Sequence, residues 1–261
     1  MSPGAVRTLP LTEVEDVSAG TYWLHFHAPA GFACDPGHFF MLSSPLHGAP
    51  FLGRPLSIGD VHGERFGFLV RALGEATAWF RTLPVGSPVR LVGPLGRPFS
   101  PPERPVHRMV AGGIGLAPFI YLARRLRATR PGARIELHYG ERSADAHAPL
   151  TGAEGELFDV VERFTDDGSL GARGTVVDGL DDRLGDPEAA WYACGPHAML
   201  RALARRFDRA GATDVQFSLE ERMACGFGVC QACIVPNRSG NPKYRLLCVD
   251  GPVVDPREVA W

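Results

Sequence analysis

Four of the six cysteines in this 261-residue chain stand at positions 225, 230, 233 and 248, a spacing of C-x4-C-x2-C and then a last cysteine after fourteen residues. Thiols clustered in this way in a chain without secretory features are more often metal ligands or redox groups than disulfide partners. The spacing is the plant-type pattern for a [2Fe–2S] cluster, held by four thiolates that offset the ferric charge. Gly226 and Gly228 lie between the first two cysteines, where bulky side chains would keep backbone N–H groups away from sulfur. A structural zinc site is the competing reading. Zinc folds built on four cysteines usually present two short C-x-x-C pairs, and here only Cys230 and Cys233 form one, so the spacing favours iron.

Upstream of the cysteines the texture changes twice. Residues 1–102 read as short strands between turns, among them "TYWLHFHA", "RFGFLVRAL" and "PVRLVGPLG", which suggests a small β-barrel. The proline-rich stretch "PFSPPERP" at 98–105 then breaks the pattern. Residues 103–213 alternate strand and helix: "VHRMVA", the turn "GGIGLAP", the helical "FIYLARRLRATR", the strand "ARIELHYG", and later "AAWYACGP" running into "HAMLRALARRFDRAG". Such alternation argues for a parallel sheet with helical crossovers. Residues 214–261 carry the four cysteines with little periodicity and read as a small third module. The fold class is thus multidomain, β followed by α/β, with a C-terminal metal module.

A formal net charge of −2, with no Lys/Arg run interleaved with aromatics, makes neither nucleic acid nor an anionic membrane the natural partner. The N-terminal segment lacks a charged region followed by an apolar core, and no apolar run approaches the roughly 20 residues that span a bilayer. A cytoplasmic, soluble chain is expected. The nine histidines are scattered, and no base and nucleophile stand together, so substrate chemistry is expected elsewhere.

Two glycine turns each end a strand and open a helix: Gly112, Gly113 and Gly115 in "GGIGLAP", and Cys194, Gly195 and Pro196 in "ACGP". A helix N-terminus can hold a pyrophosphate, and open α/β sheets bind ligands at strand carboxyl ends. "GGIGLAP" is not a full G-x-G-x-x-G, because Pro118 stands where the third glycine would be, and a plain tight turn remains open for it alone. In the β-rich half, "RPLSI" at 54–58 reads as an edge strand bearing a proline, with Arg54 suited to a phosphate and Ser57 to a flavin ring. Arg142, after the second strand of the α/β region, could meet a 2′-phosphate, although an exposed arginine beside a turn is the commoner case.

The order "RPLSI", "GPLG" at 93–96, "GGIGLAP", "CGP" resembles the ferredoxin–NADP reductase superfamily. Within it, "FTDDGSLGARGTVVDGL", "SLEERMACGFGVCQACIV" and "CVDGPVVDPREV" resemble the electron-transfer subunits of NAD-dependent, class 1B dihydroorotate dehydrogenases, over almost the whole chain. The resemblance implies a flavin-binding barrel, a nicotinamide-binding α/β domain and a [2Fe–2S] module. It implies that Arg54, Pro55, Leu56 and Ser57 contact FAD, that Gly112, Gly113, Gly115, Cys194, Gly195 and Pro196 surround NAD(H), and that Cys225, Cys230, Cys233 and Cys248 hold the cluster. Where the family has Gly-x-Gly-Thr beside the flavin phosphates, this chain reads Gly74-Glu75-Ala76-Thr77, and a Cβ at Ala76 is expected to hinder a left-handed turn.

The implied activity is that of an oxidoreductase subunit in pyrimidine biosynthesis, passing electrons between NAD and an FMN-containing dihydroorotate dehydrogenase catalytic subunit in a heterotetramer. Its rivals are a reductase subunit feeding a ferredoxin, a sulfur acceptor or an oxygenase, and a zinc-stabilised binding protein without enzymatic activity. A terminal aromatic such as Trp261 stacks on flavin in some superfamily members, but packing is the commoner use.

Overall fold

The structure, a computed structural model, describes residues 4–45, 52–150 and 152–261. Its first sheet comprises β1 (Ala5–Ser18), β2 (Thr21–His27), β3 (Phe39–Ser43), β4 (Arg54–Ser57), β5 (Asp60–His62), β6 (Arg65–Arg71) and β7 (Pro88–Leu95), in the order β4-β3-β7-β1-β2-β6-β5. Every pairing is antiparallel. The three segments read as strands from sequence are β2, β6 and β7. The first half of β1 pairs with β7 and the second half with β2, so one long strand carries the sheet round its own core. That core is aromatic, with Tyr22, Phe26, Phe40, Phe66, Phe68 and Phe80 buried together. The sheet is a half-barrel rather than a closed one: among the described residues β4 and β5, its two ends, do not pair. Pro55 lacks an N–H to extend the ladder, which suits β4 to the edge. A short helix α1 (Glu75–Arg81) follows β6.

The second sheet contains β8 (Val106–Gly112), β9 (Arg134–Glu141), β10 (Val160–Thr165), β11 (Ala172–Arg173), β12 (Ala189–Cys194) and β13 (Val215–Ser218). All are parallel, in the order β11-β10-β9-β8-β12-β13. Helices α2 (Ala117–Thr129) and α3 (His197–Ala210) make crossovers. Gly211, at φ +67, ends α3 in the left-handed conformation that a residue with a Cβ resists. No helix among the described residues is long and apolar enough to cross a membrane.

The two sheets share packing. Trp23 and Leu69 of the half-barrel join the apolar cluster around α2, while Tyr121 of α2 reaches the half-barrel core and donates to the Cys34 carbonyl at 2.9 Å. Arg124 of α2 also grips Asp60 of β5 with bonds of 2.7 and 2.8 Å.

The cysteine segment leaves β13, forms a hairpin of β14 (Ile234–Pro236) and β15 (Tyr244–Leu246) and a turn of helix α4 (Leu247–Asp250), and returns as β16 (Val253–Val254). β16 pairs antiparallel with β13. The second sheet therefore extends past residue 213, the end of the α/β unit expected from sequence, and the cysteine module hangs between two of its strands. The returning segment also meets the chain leaving the first sheet, where the Gly251 carbonyl accepts from Arg97 N–H at 2.5 Å, and it stays tied to the second through the Pro252 carbonyl, which accepts from Leu219 N–H, just past β13, at 3.0 Å. Trp261 packs against Phe217 and His197 and donates to the Pro256 carbonyl at 2.7 Å, so it serves as an anchor for the chain end.

Candidate functional site

From β8 the chain moves through β9, β10 and β11 to one side, then comes back to β12 and β13 on the other. At such a reversal the connections part and leave a crevice at the strand carboxyl ends. Both glycine turns stand there, on the adjacent central strands β8 and β12, and a cavity of about 760 Å³ opens between them. Gly113 has φ +59 and presents bare backbone to the cavity. Gly115 serves a different purpose: a Cβ there would collide with the Cys194 carbonyl, so its absence lets α2 begin against the neighbouring turn. A Cβ at Gly112 would come within 2.6 Å of Met199 Sδ. Gly112, Gly113, Gly115, Gly195 and Pro196 all line the cavity.

Cys194, expected beside the nicotinamide, lies behind that wall. It is 1% exposed and packs in the core, where burial pushes its thiol well above the ordinary value. Its carbonyl lies against Gly115 rather than in the cavity lining. Arg142 lines the cavity and is exposed, as a residue beside a turn would be.

Several cavity residues carry no local sequence signal. Arg71, at the end of β6, crosses from the half-barrel to bind Glu141 at the end of β9 through both carboxylate oxygens, with its NH1–Oε2 bond at 3.1 Å. The same guanidinium donates to Thr21 Oγ1 and the Ala146 carbonyl, each at 3.2 Å, and Tyr139 donates to Glu141 at 3.0 Å. Glu141 holds the strand-end position from which dinucleotide folds direct an acid to the ribose, so that signal was present in "HYGER"; here the acid is spent on Arg71. At the far end, Asp178 accepts from the Thr175 hydroxyl at 2.6 Å, which holds its carboxyl below the usual range, and Arg206 donates to the Val177 carbonyl at 2.7 Å. Glu220, exposed, also lines the cavity, and partial loss of solvent there raises its carboxyl pKa.

The four flavin-motif residues form β4, each half-buried on the open edge of the half-barrel. Register with β3 sets Ser57 opposite Phe39, Leu56 opposite Phe40, Pro55 opposite Met41 and Arg54 opposite Leu42. Leu56 therefore leans on the half-barrel core, and Arg54 donates to the Leu52 and Gly53 carbonyls at 3.0 and 3.4 Å. An accessible edge carrying a guanidinium and a hydroxyl fits a flavin nucleotide lying along it. The Gly74–Thr77 segment corrects the expectation of a hindered left-handed turn. It is the first turn of α1; Ala76 is helical and buried, and Gly74, at φ −158, is in extended backbone open to any residue. Thr77 Oγ1 accepts from the N–H groups of Leu73 and Gly74, at 3.0 and 3.2 Å, and caps the helix.

The cysteines gather into two pairs. Cys230 N–H donates to Cys225 Sγ at 3.4 Å and Cys248 N–H to Cys233 Sγ at 3.5 Å, while Gly228 N–H donates to Cys248 Sγ at 3.1 Å. Gly226 and Gly228, at φ +83 and +87, have the left-handed backbone that turns these amides toward sulfur. Among the described residues no three His, Cys, Asp or Glu side chains converge on a point as ligands of one ion. Two thiol pairs, each suited to one iron of a two-iron cluster, fit a [2Fe–2S] group better than a single zinc. Burial raises the Cys225 thiol, but the surrounding amides of Cys230, Phe227 and Val229 outweigh it and bring it to about 6. Burial, then the neighbouring Cys233, pushes Cys248 up to about 12. Phe227 and Val229, between the first two cysteines, are exposed, so the loop lies at the surface.

A sequence profile of the iron–sulfur cluster binding domain of dihydroorotate dehydrogenase B matches residues 220–260. The chain is 35% identical over 260 residues to the dihydroorotate dehydrogenase B (NAD+) electron transfer subunit of Listeria monocytogenes serovar 1/2a, covering 97% of each chain. It is 34% identical to the corresponding subunit homolog of Aquifex aeolicus, over 86% of each. Among solved structures, a chain of the NADH-dependent reduced ferredoxin–NADP oxidoreductase superposes with a TM-score of 0.82 at 25% identity, covering 100% of this chain and 92% of the other. A cytochrome P450 reductase from Amycolatopsis shares the fold, with a TM-score of 0.70 at 24% identity, over 82% of this chain and 70% of its own. On similarity to relatives that it spans almost end to end, this protein belongs to the family of dihydroorotate dehydrogenase B electron transfer subunits.

Proposed function

We propose that the chain carries electrons between NAD and the FMN of a separate dihydroorotate dehydrogenase catalytic subunit, in the oxidation of dihydroorotate to orotate, and that the two subunits assemble as a heterotetramer. FAD lies along β4, NAD(H) in the cavity, and a [2Fe–2S] cluster among Cys225, Cys230, Cys233 and Cys248. The observation that carries this reading is one cavity at the topological reversal, walled by both glycine turns and by Arg71 of the half-barrel, with the cysteine loop reaching the surface at Cys230 while Cys233 and Cys248 lie buried beneath it.

Bound there, FAD supplies the exchange between the electron pair of a hydride and the single electrons an iron–sulfur cluster carries. The chain's own residues bind and orient. Gly113 offers bare backbone N–H to the dinucleotide pyrophosphate beside the start of α2. Ser57 places a hydroxyl at the flavin ring, and Arg54 a guanidinium at its phosphates. The Arg71–Glu141 pair fixes the half-barrel against the nucleotide turn, and Glu220 places a carboxyl on the cavity wall. The Cys230 amide turns toward Cys225 Sγ and favours its thiolate, while the amides of Gly228 and Cys248 donate to the sulfurs of Cys248 and Cys233.

The test is reconstitution with the FMN-containing catalytic subunit. The isolated chain should contain flavin and two irons per chain, and the complex should reduce NAD+ on addition of dihydroorotate. A colourless, zinc-containing chain, or a complex without that activity, refutes the reading. The likeness to the reduced ferredoxin–NADP oxidoreductase favours a second reading, in which the acceptor is a ferredoxin. NADH-dependent reduction of ferredoxin with no response to the catalytic subunit would select it.

A further inference from the structure

Strand β3 is sandwiched between β4 and β7, and its side chains alternate. Phe40 and Leu42 enter the half-barrel core, while Phe39 and Met41 face the other way, into the apolar cluster that holds Leu95, Leu247, Cys233 and Cys248. Met41 is 4% exposed and sits opposite Pro55 of β4. Two glycines show how closely its thioether is packed. A Cβ at Gly226, within the cysteine loop, would lie 2.6 Å from Met41 Cγ and 3.1 Å from its Sδ. A Cβ at Gly53, one residue before Arg54, would lie 3.4 Å from Met41 Cβ and Cε. One unbranched side chain thus fills the space between the chain entering the flavin strand and the loop carrying Cys225. Its backbone is held on both sides by the ladder, and the thioether is polarizable and adapts to irregular gaps.

We infer that Met41 is the positioning residue that sets the separation between the flavin strand and the cysteine loop, and that single electrons cross the protein at this contact. This rests on the functional reading above. Each crossing moves one electron and neither makes nor breaks a bond; two crossings match the electron pair that NADH delivers. A shorter side chain leaves a gap that the loop closes only partly, and Met41→Leu preserves the volume.

The experiment compares Met41→Leu, Met41→Val and Met41→Ala as full-length proteins with FAD and iron contents measured. Stopped-flow absorbance follows flavin reduction and cluster reduction by NADH separately, and low-temperature electron paramagnetic resonance records the reduced cluster. Flavin reduction should stay within about twofold of wild type in all three, whereas cluster reduction should be near normal in Leu and fall in the order Leu, Val, Ala, by about tenfold or more at the end, as misplacements near 1 Å do elsewhere. The cluster's resonance line shape should shift in Val and Ala and be restored in Leu. If Met41→Ala loses iron, Met41→Val decides. Val or Ala variants that keep FAD and iron and show wild-type cluster reduction and line shape overturn the inference. Failure of the wild-type cluster to reduce with NADH at all would instead overturn the functional reading.

Discussion

The Arg71–Glu141 pair joins the two sheets across the cavity, and its two ends differ in burial: the glutamate side chain is 3% exposed and that of the arginine 18%. Removing one partner of a buried pair leaves an uncompensated charge and costs about 3–5 kcal/mol. The figure applies in full to Arg71→Met, which keeps an apolar stem but strands a buried carboxylate beside Tyr139. It applies less to Glu141→Gln. There the stranded group is a guanidinium that keeps its bonds to Thr21 and Ala146 and faces the cavity, so about 1–3 kcal/mol is expected. The asymmetry is the test. Urea unfolding of both single variants and the double variant, followed by tryptophan fluorescence, should show Arg71→Met as the more destabilised single. The double variant should be less destabilised than the sum, with a coupling of about 1.5 kcal/mol or more, as for close charge pairs elsewhere. Because the pair spans the two sheets, flavin reduction by NADH should also slow in both singles while the flavin and cluster spectra stay unchanged. Equal effects of the two singles, or additivity within about 0.5 kcal/mol, would refute the reasoning.

Gly113→Val places a branched side chain at φ +59 with Arg71 NH1 only 3.3 Å from its Cβ, so it should raise the NADH concentration needed to reduce the flavin while leaving FAD and iron contents intact; an unchanged titration removes Gly113 from the site. Cys230→Ser substitutes a harder oxygen ligand and should lose the cluster, yet NADH should still reduce the flavin. Near-normal NAD+ reduction by the reconstituted complex from an iron-free preparation would show that the cysteines are structural. Stability should fall between pH 6.5 and 4, because burial holds the folded-state His25 and His107 at about 4, against an ordinary 6.5. In that window the unfolded chain binds the extra protons, so stability is fully present above pH 6.5 and is lost as pH falls, by up to ~3 kcal/mol for each histidine. Urea midpoints that match at pH 7 and pH 4.5 would contradict this.

What the sequence made legible was local. The run of Cys225, Cys230 and Cys233, the two glycine turns and the strands β2, β6 and β7 are each defined within about ten residues, the range over which periodicity and turn chemistry act. The turn around Ala76 was misjudged because a left-handed backbone was assumed where a helix begins, and Thr77 supplies the cap from within the same stretch. Gly115 and Cys194 sit in the right turns but act through packing and backbone, which residue type alone does not reveal. Arg71 and Met41 were invisible for a different reason: each owes its place to a partner on another element, and a lone arginine or methionine carries no mark of the strand it will face.

β16 has a meaning for solubility as well as for connectivity. Without it, β13 would end the second sheet with an open row of hydrogen-bonding groups from Val215 to Ser218, a template for another molecule's strand. Two residues, Val253 and Val254, close part of that row, and the chain beyond them folds back through Pro256 to seat Trp261 on Phe217. The last eleven residues thus guard an edge. A chain shortened before Gly251 would keep all four cysteines and both glycine turns, and would expose a sticky flank along which copies could add strand to strand.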